Sequence, residues 1–305
     1  MDPLAVAYVN YRFMTEFMQR KGSSFQDLFN TVMGMRYPQD FIKIKAWGAK
    51  GDEKNDGLLQ SHKMLFQVYA PEKLIESKAI SKIDEDFWGA LDSWKGYFNT
   101  WVFVHNSQDG ISPGTKKYLS DLESKQDTVK TASWGLEEIR SEVFKLNHEQ
   151  LCILFGSLPS MNGMQNVTFE KIKIVLDVVA RKTPTPDAEI RPVPKDKIEI
   201  NGLSGNVETL LMAGMKKSKL VDRFFETYHD PEYGDEVAKA FNDRYIELKR
   251  LDYPPDVIFS ELLDFAGGRQ GDPGNMCAAL AVLAHFFEEC DIFEETRSVK
   301  NDTSN

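Results

Sequence analysis

Four prolines between Lys182 and Lys197, in KTPTPDAEIRPVPKDK, divide this chain more sharply than any other feature. Each removes a backbone donor and locks φ, so no helix or central strand continues through them and the segment stiffens toward extended backbone. At 305 residues the chain holds about two domains' worth of protein. Before the prolines the hydrophobic pattern mixes helix with strand, and after them every periodic segment is helical. The expected organisation is an α/β domain over residues 1–145, a helical connector and Pro-rich linker over 146–197, and an all-α domain over 198–305.

Charge follows the same division. The formal total is −10, yet residues 1–100 carry 13 basic and 13 acidic side chains, residues 101–200 carry 13 and 14, and the last 105 carry 11 and 20. The acidity therefore sits in the C-terminal third, where it would repel a phosphate backbone. Any contact with nucleic acid belongs to the N-terminal part or to a basic partner. No apolar run approaches the roughly 18 residues of a membrane span. The first residues, MDPLAVAYVNYRFMTEFMQRKG, lack the basic start and small-residue cleavage site of a secretion signal. Cys152, Cys277 and Cys290 are odd in number and widely spaced, without a C-x-x-C pair, as in a reducing cytoplasm. The expected location is cytoplasmic.

Along the N-terminal part, the spacing of Phe13, Phe17, Phe25, Leu28, Phe29 and Val32 predicts two helices broken at Gly22, with Ser24 as cap of the second. FIKIKAW (41–47) alternates as a half-buried strand does, and LFQVYA (65–70) reads as a more buried one, with a glycine-rich charged turn between them. A helix with the apolar face Ile83, Phe87, Ala90, Leu91, Trp94, Phe98 leads to a third strand, Trp101 to His105. Residues 117–181 read as helices, one capped by Thr168. Beyond the prolines, helices are expected at 205–215, 218–229, 235–250, 255–265 and 273–293, in a compact bundle.

The densest chemistry lies in Gly51-Asp52-Glu53-Lys54-Asn55-Asp56-Gly57, shortly before the strand that carries Gln67. Carboxylates in a glycine-bounded turn suit a hard divalent cation, and a lysine among them suits a reacting phosphate. An ordinary exposed turn is built from the same residue types. Gln67, polar in the middle of an apolar strand, needs a partner: its carbonyl oxygen is either a neutral metal ligand or a core amide satisfied by backbone. Elsewhere His62, His105, His148, His229 and His285 show no H-E-x-x-H spacing, and Gly267-Gly268-Arg269-Gln270-Gly271 lacks the G-K-[ST] ending of a phosphate-binding loop. Trp88, Trp94 and Trp101 fall at positions of core packing rather than base stacking.

FQDLF on an early helix, an aspartate in a hairpin and a Q-x-(K) strand next resemble the PD-(D/E)XK nuclease fold, in particular its Mrr-like branch with glutamine for the acid. GDEKNDG, FQVYAPE, WVFVHN and the closing AHFFEECDIFEE resemble effectors of bacterial ABC three-component (Lamassu-like) defence systems, which act against phage or plasmid DNA beside an SMC-like or Rad50-like ABC ATPase and a small middle component. The resemblance implies a small mixed sheet flanked by helices, Mg²⁺ or Mn²⁺ as cofactor, and DNA as the ligand of the N-terminal domain. It puts Asp56 and Gln67 at the metal, Gln26 where many members have a helix glutamate, and Asp52 and Glu72 as supplementary ligands. Tyr69 stands where the lysine belongs, and a protonated tyrosine supplies no positive charge. Lys54 and Lys63 are then the lysines to replace it.

The resemblance implies a DNA endonuclease effector released by its ATPase, with residues 198–305 docking onto partners through His285, Phe286, Phe287, Ile292 and Phe293. Burial of those five side chains in the chain's own core is the other reading. With glutamines for acids and Tyr69 for lysine, the rival function is a catalytically degenerate adaptor or sensor, and a plain scaffold without nucleic-acid contact is the third. No membrane partner is expected, and a homo-oligomer stays open.

Overall fold

The computed structural model describes residues 1–44, 55–180, 197–268, 273–289 and 292–293. Its contacts gather into two compact units, Glu16–Gln150 and Met1–Thr15 with Leu151–Asn305. The protein is mixed α/β, with a small sheet near the N-terminus and a helical C-terminal region.

Helix α1 (Pro3–Gln19) ends just before α2 (Gly22–Arg36), as the hydrophobic spacing predicts. Ser24 is not the cap of α2. That place is held by Lys21, whose N–H donates to the Ser24 hydroxyl at 3.1 Å while the same hydroxyl donates to the Lys21 carbonyl at 2.8 Å. The positive φ of Gly22 lets the chain enter the helix two residues before the serine.

Five strands follow: β1 (Phe41–Lys43), β2 (Gly57–Leu59), β3 (Met64–Tyr69), β4 (Thr100–His105) and β5 (Lys130–Trp134). They lie side by side in chain order, antiparallel from β1 to β3 and parallel from β3 to β5. The parallel step from β3 to β4 is made by α3 (Glu76–Ser93), and the step from β4 to β5 by α4 (Pro113–Ser124), as parallel neighbours require. The sequence reading found neither β2 nor β5. GLL is too short to alternate, and KTASW, at the sheet edge, carries almost no apolar signal. Of FIKIKAW, Phe41 to Lys43 is strand, while Lys45 to Trp47 fall outside the described residues.

Period-2 alternation sorts the strands onto two cores. Leu65 of β3 and Trp101 and Phe103 of β4 face α3 and α4, where Ile83, Phe87, Ala90, Leu119 and Leu122 are buried. Each large side chain removed from water there contributes about 1.5–3 kcal/mol. On the other face Phe66 packs against Phe29 of α2 and Trp134 of β5, with centroids 5.3 and 5.1 Å apart. Trp101 is fully buried, but Trp88 stands 40% exposed, so the expectation of core packing fails for it. The unit closes with α5 (Leu136–Val143) and the start of α6 (His148–Phe155).

The second unit contains α7 (Met161–Gln165), α8 (Phe169–Ala180), α9 (Lys197–Ile200), α10 (Gly205–Met215), α11 (Ser218–Thr227), α12 (Tyr233–Arg250), α13 (Pro255–Phe265) and α14 (Pro273–Glu288). The Thr168 hydroxyl accepts the Lys171 N–H at 3.4 Å, in keeping with its predicted capping role. Helix α14 is buried around its circumference, from Met276 to Phe287, and packs against α8, α10 and α11. Gly214 of α10 allows the close approach: a Cβ there would collide with the Leu280 carbonyl and the Ala284 methyl. His285, Phe286, Phe287, Ile292 and Phe293 are all buried. This corrects the expected docking face, because α14 is apolar on every side and its aromatic end is used by the unit's own packing. Most of the proline segment, 182–196, lies outside the described residues, as do residues 269–271 of the Gly267–Gly271 loop.

Candidate functional site

Gly57 opens β2 against the Phe41 ring, which occupies the space a Cβ would need. That close approach draws the residues just before it into the sheet. The Asp56 N–H donates to the Phe66 carbonyl at 2.8 Å, and the Asp56 carbonyl accepts from Ile44 N at 3.2 Å. Asp56 is therefore the root of a strand rather than the tip of a hairpin, and it is only 5% exposed. Asn55 is fully buried beside it. The ordinary exposed turn built from these residue types is excluded for these two positions.

Both carboxylate oxygens of Asp56 are held. One accepts the Val68 N–H of β3 at 2.7 Å, and the other accepts the Gln26 side-chain N–H from α2. The Val68 bond replaces a ladder bond, so the aspartate terminates the β2–β3 pairing with its side chain. Gln26 reaches the site from the first turns of α2, but with its amide nitrogen toward Asp56 it serves as the donor that orients the carboxylate.

Gln67 follows in register, since Gly57 lies opposite Phe66 and Gln67 lies beside Phe103 of β4. It is 5% exposed, and its Oε1 has no hydrogen-bond partner among the described residues. An unsatisfied buried oxygen costs about 1–3 kcal/mol. The core-amide reading, in which neighbouring backbone satisfies this carbonyl, is thus not what the structure contains.

Two further polar groups extend the cluster, and the sequence reading gave them no role. His105 ends β4 directly opposite Tyr69 in the parallel register. Its Nδ1 accepts the Ser107 N–H at 3.3 Å, its ring lies where a side chain on Gly135 would have to go, and burial pulls its pKa down to about 4. Asn106, also buried, donates to the Pro71 carbonyl at 3.1 Å. The available signal is the one that marks Gln67: an apolar strand, WVFVHN, closing on polar side chains. Together these residues occupy the C-terminal ends of β3 and β4, the edge at which open α/β sheets bind ligands.

The other predicted residues divide. Tyr69, half-buried, shares the Gln67 face of β3, with its ring 6.2 Å from Phe103. Glu72 is exposed in the loop between β3 and α3. Lys63 sits in the β2–β3 turn with φ 51°, its carbonyl accepting from Asn99 and Thr100. Four steps of backbone separate it from Gln67, about 13 Å at the usual rise, so it is at the wrong end of β3 to replace a lysine at position 69. Asp52 and Lys54 lie outside the described residues.

No group of three His, Cys, Asp or Glu gathers among the described residues. A divalent ion here would rest on one carboxylate of Asp56 and the Gln67 oxygen, completed by water and substrate oxygens. That lean, all-oxygen set suits Mg²⁺, which keeps much of its water and uses one or two carboxylates with substrate phosphates. The unpartnered Gln67 oxygen fits the requirement for a neutral ligand.

A Ser-His-Asp trio does form elsewhere, where Ser218 and Asp222 of α11 meet His285 of α14. Both approach the same nitrogen, Nδ1, at 3.4 and 3.2 Å, whereas nucleophile activation needs the serine on one ring nitrogen and the carboxylate on the other. Burial lowers the His285 pKa to about 4, so the imidazole is neutral and its contact with the half-exposed Asp222 is a hydrogen bond rather than an ion pair.

Residues 170–294 match C-terminal domain 10 of the ABC-three component (ABC-3C) systems. The match covers α8 and the helices through α14, and it supports membership of the chain in an ABC-3C defence system, with partner components in a complex. Among curated proteins and among solved structures, nothing matches the chain. Among the described residues, no helix is long and apolar enough to cross a membrane.

Proposed function

We propose that this ABC-3C component is a DNA-cutting effector with a PD-(D/E)XK-like site at the Asp56–Gln67 end of its sheet, activated by an SMC-like or Rad50-like partner ATPase. The observation that carries the reading is the buried Gln67 Oε1, left without a partner next to a carboxylate fixed by two donors. Left unpaired, that oxygen is a cost to the fold that a bound cation would offset. The helix with Gln26, Asp56 at the entry to β2 and the strand with Gln67 come in the order the nuclease resemblance requires.

Asp56 and Gln67 would hold Mg²⁺ or Mn²⁺, with Glu72 near enough in sequence to join. The bound ion supplies Lewis-acid charge at the scissile phosphate. Gln26 keeps Asp56 oriented, and the neutral His105 can accept a proton but brings no charge of its own. The C-terminal helices, residues 198–305, serve assembly, through surfaces other than the buried aromatic end of α14.

Tyr69 in the lysine position and the presence of one acid where two are usual favour a second reading, a degenerate adaptor that assembles the complex without cutting. Cleavage of linear and supercoiled DNA, with Mg²⁺ or Mn²⁺, separates the two. Wild type and Asp56→Ala are compared alone and with the co-expressed neighbouring components. Metal-dependent cutting that Asp56→Ala abolishes, with assembly intact, supports the nuclease. No cutting by an assembled complex with a working ATPase supports the adaptor.

A further inference from the structure

The strand that carries Gln67 ends at Tyr69, and Tyr69 lines a cleft of about 390 Å³ with Ser77, Lys78, Ser81, Lys82 and Glu85 of α3. These helix positions fall in one stripe, because residues four apart stack about 5–6 Å from each other on a helix surface. Two lysine side chains therefore line the helix wall of the cleft, and the tyrosine lines the strand side. Lys82 is fixed in place by Asp86, whose fully buried carboxylate it meets at 2.9 Å. Lys78 is exposed on the helix surface. Ser81 donates to the Ser77 carbonyl at 3.0 Å, which turns its own proton away from the cleft. Glu85, the acid of the lining, already makes an interaction within the chain.

We infer that this cleft is the subsite that receives a phosphodiester of the DNA strand, with Lys78 and Lys82 as its cationic groups. Tyr69 is two residues from Gln67 on the same face of β3, about 7 Å along the strand. A phosphate in the cleft thus lies one step from the Asp56–Gln67 end. The positive charge that β3 lacks at position 69 comes from the neighbouring helix instead. Lys78, exposed and hydrated, acts there as a point charge on phosphate, without the bidentate geometry an arginine would impose, and Lys82 adds its charge from a position set by Asp86. The assignment rests on reading the Asp56–Gln67 end as a nuclease site.

Binding is measured by fluorescence anisotropy of the full chain with a short labelled DNA duplex in EDTA, so that neither metal nor cutting enters the signal. Lys78→Glu is the informative variant, because Lys82 is tied to a buried carboxylate and its removal would also read on folding. Lys117→Glu, an exposed lysine of α4, controls for net charge. Lys78→Glu should weaken binding about tenfold or more and reduce the slope of log affinity against log salt by about 1, while Lys117→Glu changes neither. Equal effects of the two variants, or no binding by wild type at low salt, overturn the subsite. Loss of binding in Lys78→Glu beside a wild type that never cuts removes the nuclease reading and leaves the cleft standing. Cutting that survives in Lys78→Glu with unchanged binding removes the cleft alone.

Discussion

The end of the sheet and the C-terminal helices bury their side chains on opposite terms. Around α14 the interior is mostly apolar, and the polar groups it does bury have partners: the imidazole of His285 has Ser218 and Asp222 in reach, and the Lys197 ammonium donates to the Phe287 carbonyl at 2.9 Å. At the ends of β3 and β4, Asn55, Asp56, Gln67, His105 and Asn106 are all buried within a few residues of one another in register, and the Gln67 oxygen is left without a partner among the described residues. The family match falls on the first region and stops short of the second. Largely apolar packing is what a region devoted to holding a subunit together needs, and a buried oxygen left unpaired beside a fixed carboxylate is what a ligand site leaves behind. The two regions therefore answer different questions: one bears on which kind of assembly the chain joins, the other on where the proposed reaction would take place.

The sharpest way to break that contrast is in the helical core. Leu280→Ala removes a buried side chain where α14 meets α10, and should lower unfolding free energy by about 2–5 kcal/mol in a urea titration. Co-purification with partner components should fall with it. DNA binding by the N-terminal part should persist at temperatures where the variant is still folded. A Leu280→Ala protein as stable as wild type would mean that α14 is not the packed centre described above.

Acid tests both regions with one residue each. Burial holds His105 and His285 near pKa 4 in the folded protein, against about 6.5 in an unfolded chain. Between those values the unfolded state binds protons that the folded state refuses, so stability is full above about pH 6.5 and is lost as pH falls toward 4. The expected slope is up to about 1.4 kcal/mol per pH unit for each histidine. His105→Leu and His285→Leu should each remove part of the loss, measured as urea midpoints at pH 5 and pH 7. A pH dependence unchanged in both variants would show that neither imidazole is desolvated.

How much of this was legible beforehand depends on how local the signal is. Helices α10 and α13 lie at 205–215 and 255–265, as their periodicity predicts, because their ends are written locally. The Ser204 hydroxyl accepts the Val207 N–H at 3.4 Å, and Pro255 sits in the first turn of α13. Strands β2 and β5 escape because three- and five-residue strands exist only through their neighbours. Asp56 shows the same limit from the other side. Its identity as a candidate is visible in the sequence, but its burial is decided by Gly57 meeting Phe41, a contact made across the sheet. Lys63 is nearer to Gln67 in sequence than Lys78 is, yet it is carried to the far end of β3 by the register, while the turn of chain after Tyr69 brings α3 back over the strand. The aromatic end of α14 reads equally as surface or core until the surrounding helices are placed.

Gln67 offers the finest test, because structure and function pull it in opposite directions. If its oxygen is a ligand without a partner in the resting fold, replacing it by an apolar side chain of similar length should stabilise the protein. Gln67→Met removes the buried unsatisfied group and keeps most of the volume, so a gain of about 1 kcal/mol in unfolding free energy is expected. Metal-dependent cutting should fall at the same time. Asp56→Asn makes the contrast: it keeps the shape but converts half of the acceptor carboxylate into a donor facing either Val68 N–H or Gln26, so it should cost both stability and activity. A Gln67→Met protein that is less stable than wild type would show that the glutamine belongs to the core after all, and the strongest reason for placing a site at this end of the sheet would go with it.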